Sequence, residues 1–246
     1  KDASINDDID RLRLAATTNL LSRDDVVIVA SVSCIYGLGN PEAYRRQMLF
    51  LKTGEKTHRK EMLDQLVHLQ YMRNDADFKR GTFRVRGDVV EVRPAYEEHG
   101  VRVEFFDDEV EQISVFDPLT GRVTTRLDRV AIYPAKHFVT ERPIIEEAVK
   151  GIRAELKERL AYFNANGKYL EAERVKSRCE YDIEMMLELG YCSGIENYSR
   201  FLDGRRPGQR PHCLLDYFKG DREWLLFIDE SHVTVPQIGG MYRGDR

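Results

Sequence analysis

The sequence predicts an α/β fold, in which a parallel sheet with helices carries an inserted small α+β domain. Two apolar runs, Val26–Ala30 and Trp224–Ile228, have the composition of strands buried on both faces, which is typical of parallel sheets. Between these runs, three stretches alternate apolar and polar side chains with the period of two that marks half-buried strands: Gly81–Val92, Val101–Phe105 and Val110–Phe116. Residues 143–189 instead repeat their apolar residues with helical spacing.

The composition is that of an ordinary soluble protein with 246 residues, of which 42% are apolar and 33% charged. The formal net charge is −4, so any contact with nucleic acid has to come from local arginine clusters. Four cysteines without C-x-x-C spacing favour a reduced, cytoplasmic setting. The sequence has no apolar run of ~18 residues and no signal-peptide pattern, which argues against membrane insertion.

The chain begins with a predicted helix. Apolar residues recur at near-helical spacing through Asp7–Leu21, which indicates an amphipathic helix. The apolar run Val26–Ala30 follows and gives way to a loop rich in serine and glycine. Small residues let a backbone approach a phosphate closely, and serine hydroxyls can donate to it. A helix cap and turn without any ligand is the alternative interpretation of this loop.

Residues from about 44 to 140 have the pattern of a small α+β module. Lys60–Leu69 has helical spacing, and Gly81–Val92 predicts a hairpin around a Gly-Asp turn. Further strands are predicted at Val101–Phe105 and Val110–Phe116, before the turn FDPLTG. We therefore interpret this stretch as a module inserted into the α/β core.

Charged residues line one face of the predicted strands. Arg84 and Arg86 are two residues apart and so share a face of the hairpin, and Arg73 is a third candidate. Arg102 and Glu104 share the polar face of the next strand. Such a row fits a solubilising strand face, a stripe for nucleic acid or a docking surface for another protein. The residues alone leave all three roles open.

The helical stretch is followed by a segment of different character. Two helices are predicted between Pro143 and Leu189, separated by Asn164–Gly167. Residues 189–201 then place glycines beside aromatic and polar residues without a clear period, as in loops that position side chains. Aromatic rings in such a loop suit stacking on bases, while an aromatic plug that joins two helices is the alternative.

The apolar run Trp224–Ile228 ends in two carboxylates, Asp229 and Glu230. Open α/β sheets bind ligands at such strand ends, and in P-loop NTPases an acid at this position holds Mg²⁺. A following glutamate suits the activation of water. A strand that ends in a solvated acidic turn is the alternative. The sequence contains no G-x-x-x-x-G-K-[ST] phosphate cradle, no H-E-x-x-H motif and no Cys/His quartet.

Five strings of the sequence resemble the UvrB family, the damage-verifying subunits of bacterial nucleotide excision repair. In chain order they are VVIVASVSCIYGLGNPE, FKRGTFRVRGDVVEV, FDPLTG, ELGYCSGIENYSRFL and DESHVTVPQIGGMYRGDR. The resemblance implies an internal fragment that holds part of a helicase-like P-loop NTPase lobe, with the phosphate cradle upstream of residue 1. It implies a first core segment at 1–43, an inserted UvrA-interacting domain at 44–140, and a return to the core at 141–246 with a helical hairpin and the DESH motif.

The resemblance also implies roles for individual residues. In the intact protein Asp229 would hold Mg²⁺, Glu230 would activate water, and His232 would couple nucleotide state to the neighbouring motif. A structural histidine is the alternative for His232. The residues expected to bind UvrA are Arg73, Arg84, Arg86, Arg102 and Glu104. The residues expected to face DNA are Ser31, Ser33, Tyr36, Gly37, Tyr191, Asn197, Tyr198 and Arg200.

The function implied by the resemblance is ATP-dependent verification of damaged DNA with a locally opened strand. UvrA would load the subunit, and UvrC would be recruited for incision. ATP and Mg²⁺ are expected cofactors of the intact protein, but this chain by itself is expected neither to bind them tightly nor to hydrolyse ATP. The alternatives are a stand-alone UvrA-binding module and the UvrB-like region of the transcription-repair coupling factor. The intact string DESHVTVPQIGG argues against the latter.

Overall fold

A computed structural model describes residues 6–218, 220 and 223–244, the last four by their backbone alone. The ends of the predicted core segments, residues 1–5 and 245–246, lie outside the described residues. The helices are α1 (Asp7–Ser22), α2 (Pro41–Arg46), α3 (Arg59–His68), α4 (Arg142–Ala165), α5 (Tyr169–Leu189), α6 (Ser199–Leu202) and α7 (Ser231–Gly244). The strands are β1 (Leu49–Lys52), β2 (Met72–Arg73), β3 (Thr82–Arg86), β4 (Val89–Arg93), β5 (Gly100–Phe106), β6 (Glu109–Phe116), β7 (Val123–Leu127) and β8 (Arg129–Ile132).

Six of these strands form one sheet in the order β2-β3-β4-β5-β6-β7. β2 runs parallel to β3, and the other neighbouring pairs of this sheet are antiparallel. The predicted hairpin is confirmed, and its turn lies at Gly87–Asp88, where Gly87 adopts a φ of +60° at little steric cost. The strands predicted in residues 101–105 and 110–116 are confirmed as β5 and β6.

One face of this sheet forms the main core. Val90, Val103 and Ile113 lie opposite one another on adjacent strands and are fully buried. Met62 of α3 joins the same hydrophobic cluster, and so does Leu14 of α1. The segment before residue 44 therefore shares a core with the sheet, and the polar residues that alternate with the valines are left on the opposite face.

The helical hairpin forms a second core. The two helices predicted between residues 143 and 189 are confirmed as α4 and α5. Ile145 and Ile152 of α4 pack in one cluster with Ile183 and Met186 of α5. Gly190 ends α5 in the left-handed conformation with a φ of +72°, a common helix terminator that favours glycine.

Two predicted strands are wrong. Val26–Ala30 and Trp224–Ile228 have extended or irregular backbone and pair with no strand in the described part of the chain. Val29 and Phe227 are 97% and 86% exposed. A strand buried on both faces needs hydrogen-bonded neighbours on each side, and the described residues supply none. The fold is mixed α/β as predicted, but its large sheet is mainly antiparallel and is not the predicted parallel sheet of a helicase-like lobe.

Candidate docking face and nucleotide motif

The outer face of the six-stranded sheet carries a row of charged residues across neighbouring strands. The strand register places Arg84 opposite Glu91, and Glu91 opposite Arg102. The same row continues through Ser114 to Arg126. Directly opposed side chains in a sheet lie within contact distance, so the row brings three arginines and one acid onto one surface. We call Arg84, Glu91 and Arg102 the clamp.

Glu91 is the centre of the clamp. Its carboxylate is buried, with 7% of the side chain exposed, between two arginines that are themselves mostly covered. Arg84 Nε donates to Glu91 Oε2, and Arg102 Nε donates to Glu91 Oε1 at 2.8 Å. Arg102 Nη2 lies 2.7 Å from the same oxygen. A buried carboxylate is tolerated when it is paired and hydrogen-bonded in this way.

Two phenylalanine rings support the clamp from the sides. The guanidinium carbon of Arg84 lies 4.4 Å from the ring centre of Phe78, and that of Arg102 lies 4.7 Å from the ring centre of Phe116. The two rings stack on each other with centres 6.0 Å apart. Planar guanidinium groups stack favourably on aromatic faces, so each arginine is fixed by a ring as well as by Glu91.

The other predicted docking residues lie on the same sheet but outside the clamp. Arg86 is exposed at the end of β3, and Glu104 of β5 accepts a hydrogen bond from Gln112 Nε2 at 3.2 Å. Arg73 lies opposite Phe83, at the edge of the sheet, with its Nε 3.1 Å from Asp75. The backbone N–H of Val85 and the Arg73 side chain lower the pKa of that carboxyl group.

Glu91 was missing from the predicted site. Its place was readable from the hairpin, because a two-residue turn at Gly87–Asp88 sets residue 91 opposite residue 84. The pairing with Arg102 depends on how β4 meets β5, which the sequence pattern does not fix. Alternation predicted a polar face, but it gave no sign that one acid on this face is buried.

Two of the predicted nucleotide residues, Asp229 and Glu230, lie in a turn before α7, and His232 lies in the first turn of that helix. Asp229, Glu230 and His232 are exposed. Asp229 Oδ1 accepts the Glu230 N–H at 2.9 Å, and Glu230 has a φ of +44°. The expected position at the tip of a buried strand is therefore wrong, because residues 224–228 do not form that strand. α7, whose first two residues Ser231 and His232 belong to the DESH motif, contacts the 3₁₀ turn Val32–Ile35 of the serine loop.

This turn does not by itself fit a complete Mg²⁺–nucleotide site. Asp229 offers one carboxylate to Mg²⁺, but the substrate phosphates that complete such a site need a phosphate cradle, and this sequence contains no such motif. Among the residues that the structure describes, no group of three or more His, Cys, Asp or Glu side chains is placed to hold a metal.

No helix in the described ranges is long and apolar enough to span a bilayer.

The serine loop has its backbone fixed from α1. Arg13 Nη2 donates to the carbonyl oxygens of Tyr36 at 2.5 Å and Gly37 at 3.0 Å. Ser31 and Ser33 are exposed, and their hydroxyl oxygens lie 3.0 Å apart. The four predicted DNA-facing residues of this loop are thus neighbours in space, with two hydroxyl groups at the surface.

The aromatic segment after α5 packs against the helical hairpin. Tyr198 donates its hydroxyl to Asp182 Oδ2 at 2.8 Å, and burial together with this carboxylate raises the pKa of Tyr198. Arg200 pairs with Glu155, and Lys136 Nζ lies 3.9 Å from the ring centre of Tyr191. Asn197 is exposed. Three of the four predicted DNA-facing side chains here are thus engaged within the protein, as the aromatic-plug alternative describes.

Comparison with known proteins identifies the class of protein first. The chain has an interaction domain followed by a helical domain. Residues 49–138 match the family described as the UvrB interaction domain, and residues 143–204 match the UvrB third helical domain. The chain belongs to the UvrB family. The first match covers the six-stranded sheet with the clamp, and the second covers the helical hairpin.

Relatives that match this chain from end to end carry the name UvrABC system protein B. UvrABC system protein B of Leptospira biflexa is 59% identical over 246 residues, which are 100% of this chain and 37% of that protein. The proteins of the same name from Gemmatimonas aurantiaca and a Synechococcus species are 58% and 54% identical, also across the whole chain. The chain spans between 35% and 37% of the length of these three relatives.

Proposed function

We propose that this chain supplies the face by which an excision repair subunit of the UvrB type is captured by UvrA. The observation that carries the proposal is the row of Arg84, Arg102 and Arg126 across one sheet face, within the part that matches the UvrB interaction domain. In the whole protein this capture leads to damage verification and to recruitment of UvrC. The site of action is the cytoplasm.

The charge distribution supports a docking role for this face. The chain has a formal net charge of −4, so it does not attract acidic surfaces as a whole. The sheet face concentrates guanidinium groups locally, and arginine can pair bidentately with carboxylates. We therefore expect the partner to present acidic side chains, with Arg86, Arg73 and Glu104 at the rim of the contact.

The test is co-elution of UvrA with purified variants of this chain. Arg86→Glu reverses an exposed charge on β3, and we expect it to weaken capture about tenfold or more, as for a residue important to an interface. Arg153→Glu makes the same charge change on an exposed position of α4 and should leave capture unchanged. Equal capture of both variants would refute the proposal.

Charge reversal at Arg84 is not a clean test of docking. Arg84 contacts the buried Glu91 carboxylate, so reversing its charge would disturb the sheet as well as the docking face. A glutamate at position 84 would place two acids together in a low-polarity site, which is destabilising. Arg84→Gln avoids that repulsion and keeps hydrogen-bonding capacity, so it is the suitable variant at this position.

In the whole protein we propose that the DESH turn completes a nucleotide site. Asp229 would hold Mg²⁺, Glu230 would activate water, and His232 would couple nucleotide state to the neighbouring motif. The serine loop is a candidate for that neighbour, because α7, which contains His232, contacts the turn Val32–Ile35. Asp229→Ala is expected to abolish ATP turnover by the whole protein and to leave UvrA capture by this chain unchanged. If Asp229→Ala abolished UvrA capture as well as ATP turnover, the proposal that the nucleotide site and the docking face are separate would be contradicted.

DNA contact is proposed for the serine loop and for the aromatic segment. Ser31 and Ser33 have exposed hydroxyls, and Tyr36 and Gly37 lie beside them. Asn197 is the exposed member of the second set, whose other members are Tyr191, Tyr198 and Arg200. Ser33→Asp should weaken binding of single-stranded DNA by the whole protein, because it adds negative charge beside a phosphate path. Unchanged affinity at low salt would contradict this assignment.

A second candidate function is a docking module without activity of its own. The exposed positions of Asp229 and Glu230 favour it for the chain studied alone. Incubation of this chain with ATP and Mg²⁺ tests this candidate, because phosphate release would contradict it. Absence of phosphate release, together with intact UvrA capture, is the expected result for the module.

A further inference from the structure

We infer that Glu91 is a positioning residue of the docking face. Its buried carboxylate holds Arg84 and Arg102 side by side, so that the two arginines meet an acidic partner surface as one prearranged unit. This inference rests on the proposed docking function and names a residue that acts through its neighbours. Glu91 itself is almost inaccessible to a partner, with 5% of the residue exposed.

The geometry leaves donors available for a partner. Each guanidinium group has five N–H donors in a fixed plane. Arg84 uses its Nε toward Glu91, and Arg102 uses Nε and Nη2. The side chains remain 17% and 24% exposed, so part of each guanidinium group reaches the surface. One acid therefore fixes the inner edges of two cations while outer N–H groups face outward.

The rings of Phe78 and Phe116 complete this arrangement. A phenylalanine ring stacks on the plane of each guanidinium group, and the hydrogen bonds to Glu91 fix the rotation of the group within that plane. Long side chains that are free in solution lose conformational entropy when a partner immobilises them. The clamp removes that freedom before binding, because the arginines are already ordered in the chain itself.

This arrangement makes a prediction opposite to that of simple charge counting. Glu91→Gln removes one negative charge, so attraction to an acidic partner by charge alone would rise. The clamp predicts weaker binding, because an amide can accept from one arginine but turns its NH₂ group toward the other. We expect the affinity for UvrA to fall about tenfold, as for a residue that orders an interface arginine.

The experiment measures UvrA affinity by calorimetry for the wild-type chain, Glu91→Gln and Glu111→Gln. Glu111 is exposed on β6, so its variant has the same net charge without touching the clamp. The expected result is weaker binding for Glu91→Gln and unchanged or slightly tighter binding for Glu111→Gln. Binding by Glu91→Gln that is as tight as that by Glu111→Gln would overturn the inference.

Two further variants separate positioning from general damage to the fold. Glu91→Asp keeps the charge but shortens the side chain by one methylene, so it should also weaken binding, and it decides the matter if Glu91→Gln does not fold. In a background of Arg84→Gln and Arg102→Gln, Glu91→Gln should cost little further affinity, since it acts through those arginines. A full additional loss in that background would show a structural role and overturn the inference.

The outcomes also distinguish this inference from the proposed function. If the wild-type chain does not bind UvrA, the docking function fails and the inference fails with it. If the wild-type chain binds UvrA and Arg86→Glu weakens binding, but Glu91→Gln and Glu91→Asp bind like the wild type, the docking function stands and only the clamp is wrong.

Discussion

The six-stranded sheet and the two extended segments at residues 26–30 and 224–228 are both rich in valine, leucine and isoleucine, yet the sheet is far more completely packed. In the first segment Val26 and Ile28 pack partly against the main core, whereas Val27 and Val29 are exposed. Val90, Val103 and Ile113 are fully buried in the sheet, whereas Val29 and Phe227 are almost fully exposed. The difference lies in where each strand finds its partners. β3 to β7 pair with neighbours along the chain through short turns.

Antiparallel strands joined by tight turns satisfy their backbone hydrogen bonds locally. A strand of the parallel type takes its partners from distant parts of the sequence, after a crossover of a dozen or more residues. The described residues provide no such partners for either extended segment. Apolar composition therefore marks a tendency toward burial, but a buried strand forms only where its neighbours are present.

The contrast between packed and exposed segments predicts its largest effect on stability in the core of the sheet. Ile113→Ala removes a fully buried side chain from β6 and should lower the free energy of unfolding by about 3 kcal/mol through lost burial and a cavity. Urea unfolding followed by circular dichroism measures this loss. A loss below about 1 kcal/mol would show that the sheet is less tightly packed than its burial indicates.

Two glycines test the packing of the sheet and of the helical hairpin separately. A Cβ at Gly100 would lie 2.5 Å from the Phe116 ring, and one at Gly151 would lie 2.6 Å from the Phe201 ring. Gly100→Ala and Gly151→Ala should each cost about 1–3 kcal/mol by overpacking. Differential scanning calorimetry measures both. Gly100→Ala should also weaken UvrA capture, because Phe116 supports Arg102, while Gly151→Ala should not.

Acidification should weaken the packed region through His137. Burial, with a smaller effect of Arg13, lowers the pKa of His137 from 6.5 to about 3. Below pH 6.5 the unfolded chain takes up a proton that the folded chain excludes, so stability falls as pH drops from 6.5 toward 3. One proton corresponds to about 1.4 kcal/mol per pH unit. Urea midpoints at pH 7.5 and 5.5 measure the slope.

The matched variant for this slope is His137→Gln. Glutamine does not titrate, and its amide can replace the contact that His137 Nε2 makes with Thr17 Oγ1 at 3.1 Å. The variant should lose less stability than the wild type between the two pH values. An identical slope would assign the acid sensitivity to other groups.

The smallest expected effect concerns the exposed segments. Leu225→Ser and Phe227→Ser change residues that are 83% and 86% exposed, so each should alter the free energy of unfolding by less than about 0.5 kcal/mol. The double variant should also bind less of the dye ANS, because it removes exposed apolar surface. A destabilisation of about 2 kcal/mol or more would show that residues 224–228 are packed in solution.

Much of the local structure was predictable from the sequence. α1, α3, α4 and α5 follow from helical spacing, and β3 to β6 follow from alternation around the Gly-Asp turn. The shared face of Arg84 and Arg86, and that of Arg102 and Glu104, follow from the same alternation. These features could be predicted because each depends on contacts between residues close in the chain.

The sequence by itself determined the hairpins, the helices and the polar face of the sheet, because their periods are set by backbone geometry. Only the tertiary structure decided that Glu91 is buried between arginines from the strands on either side, and that residues 224–228 do not form a buried strand. Both outcomes depend on which strands become neighbours across the sheet. That pairing is a property of the whole packed chain, and a local pattern cannot specify it.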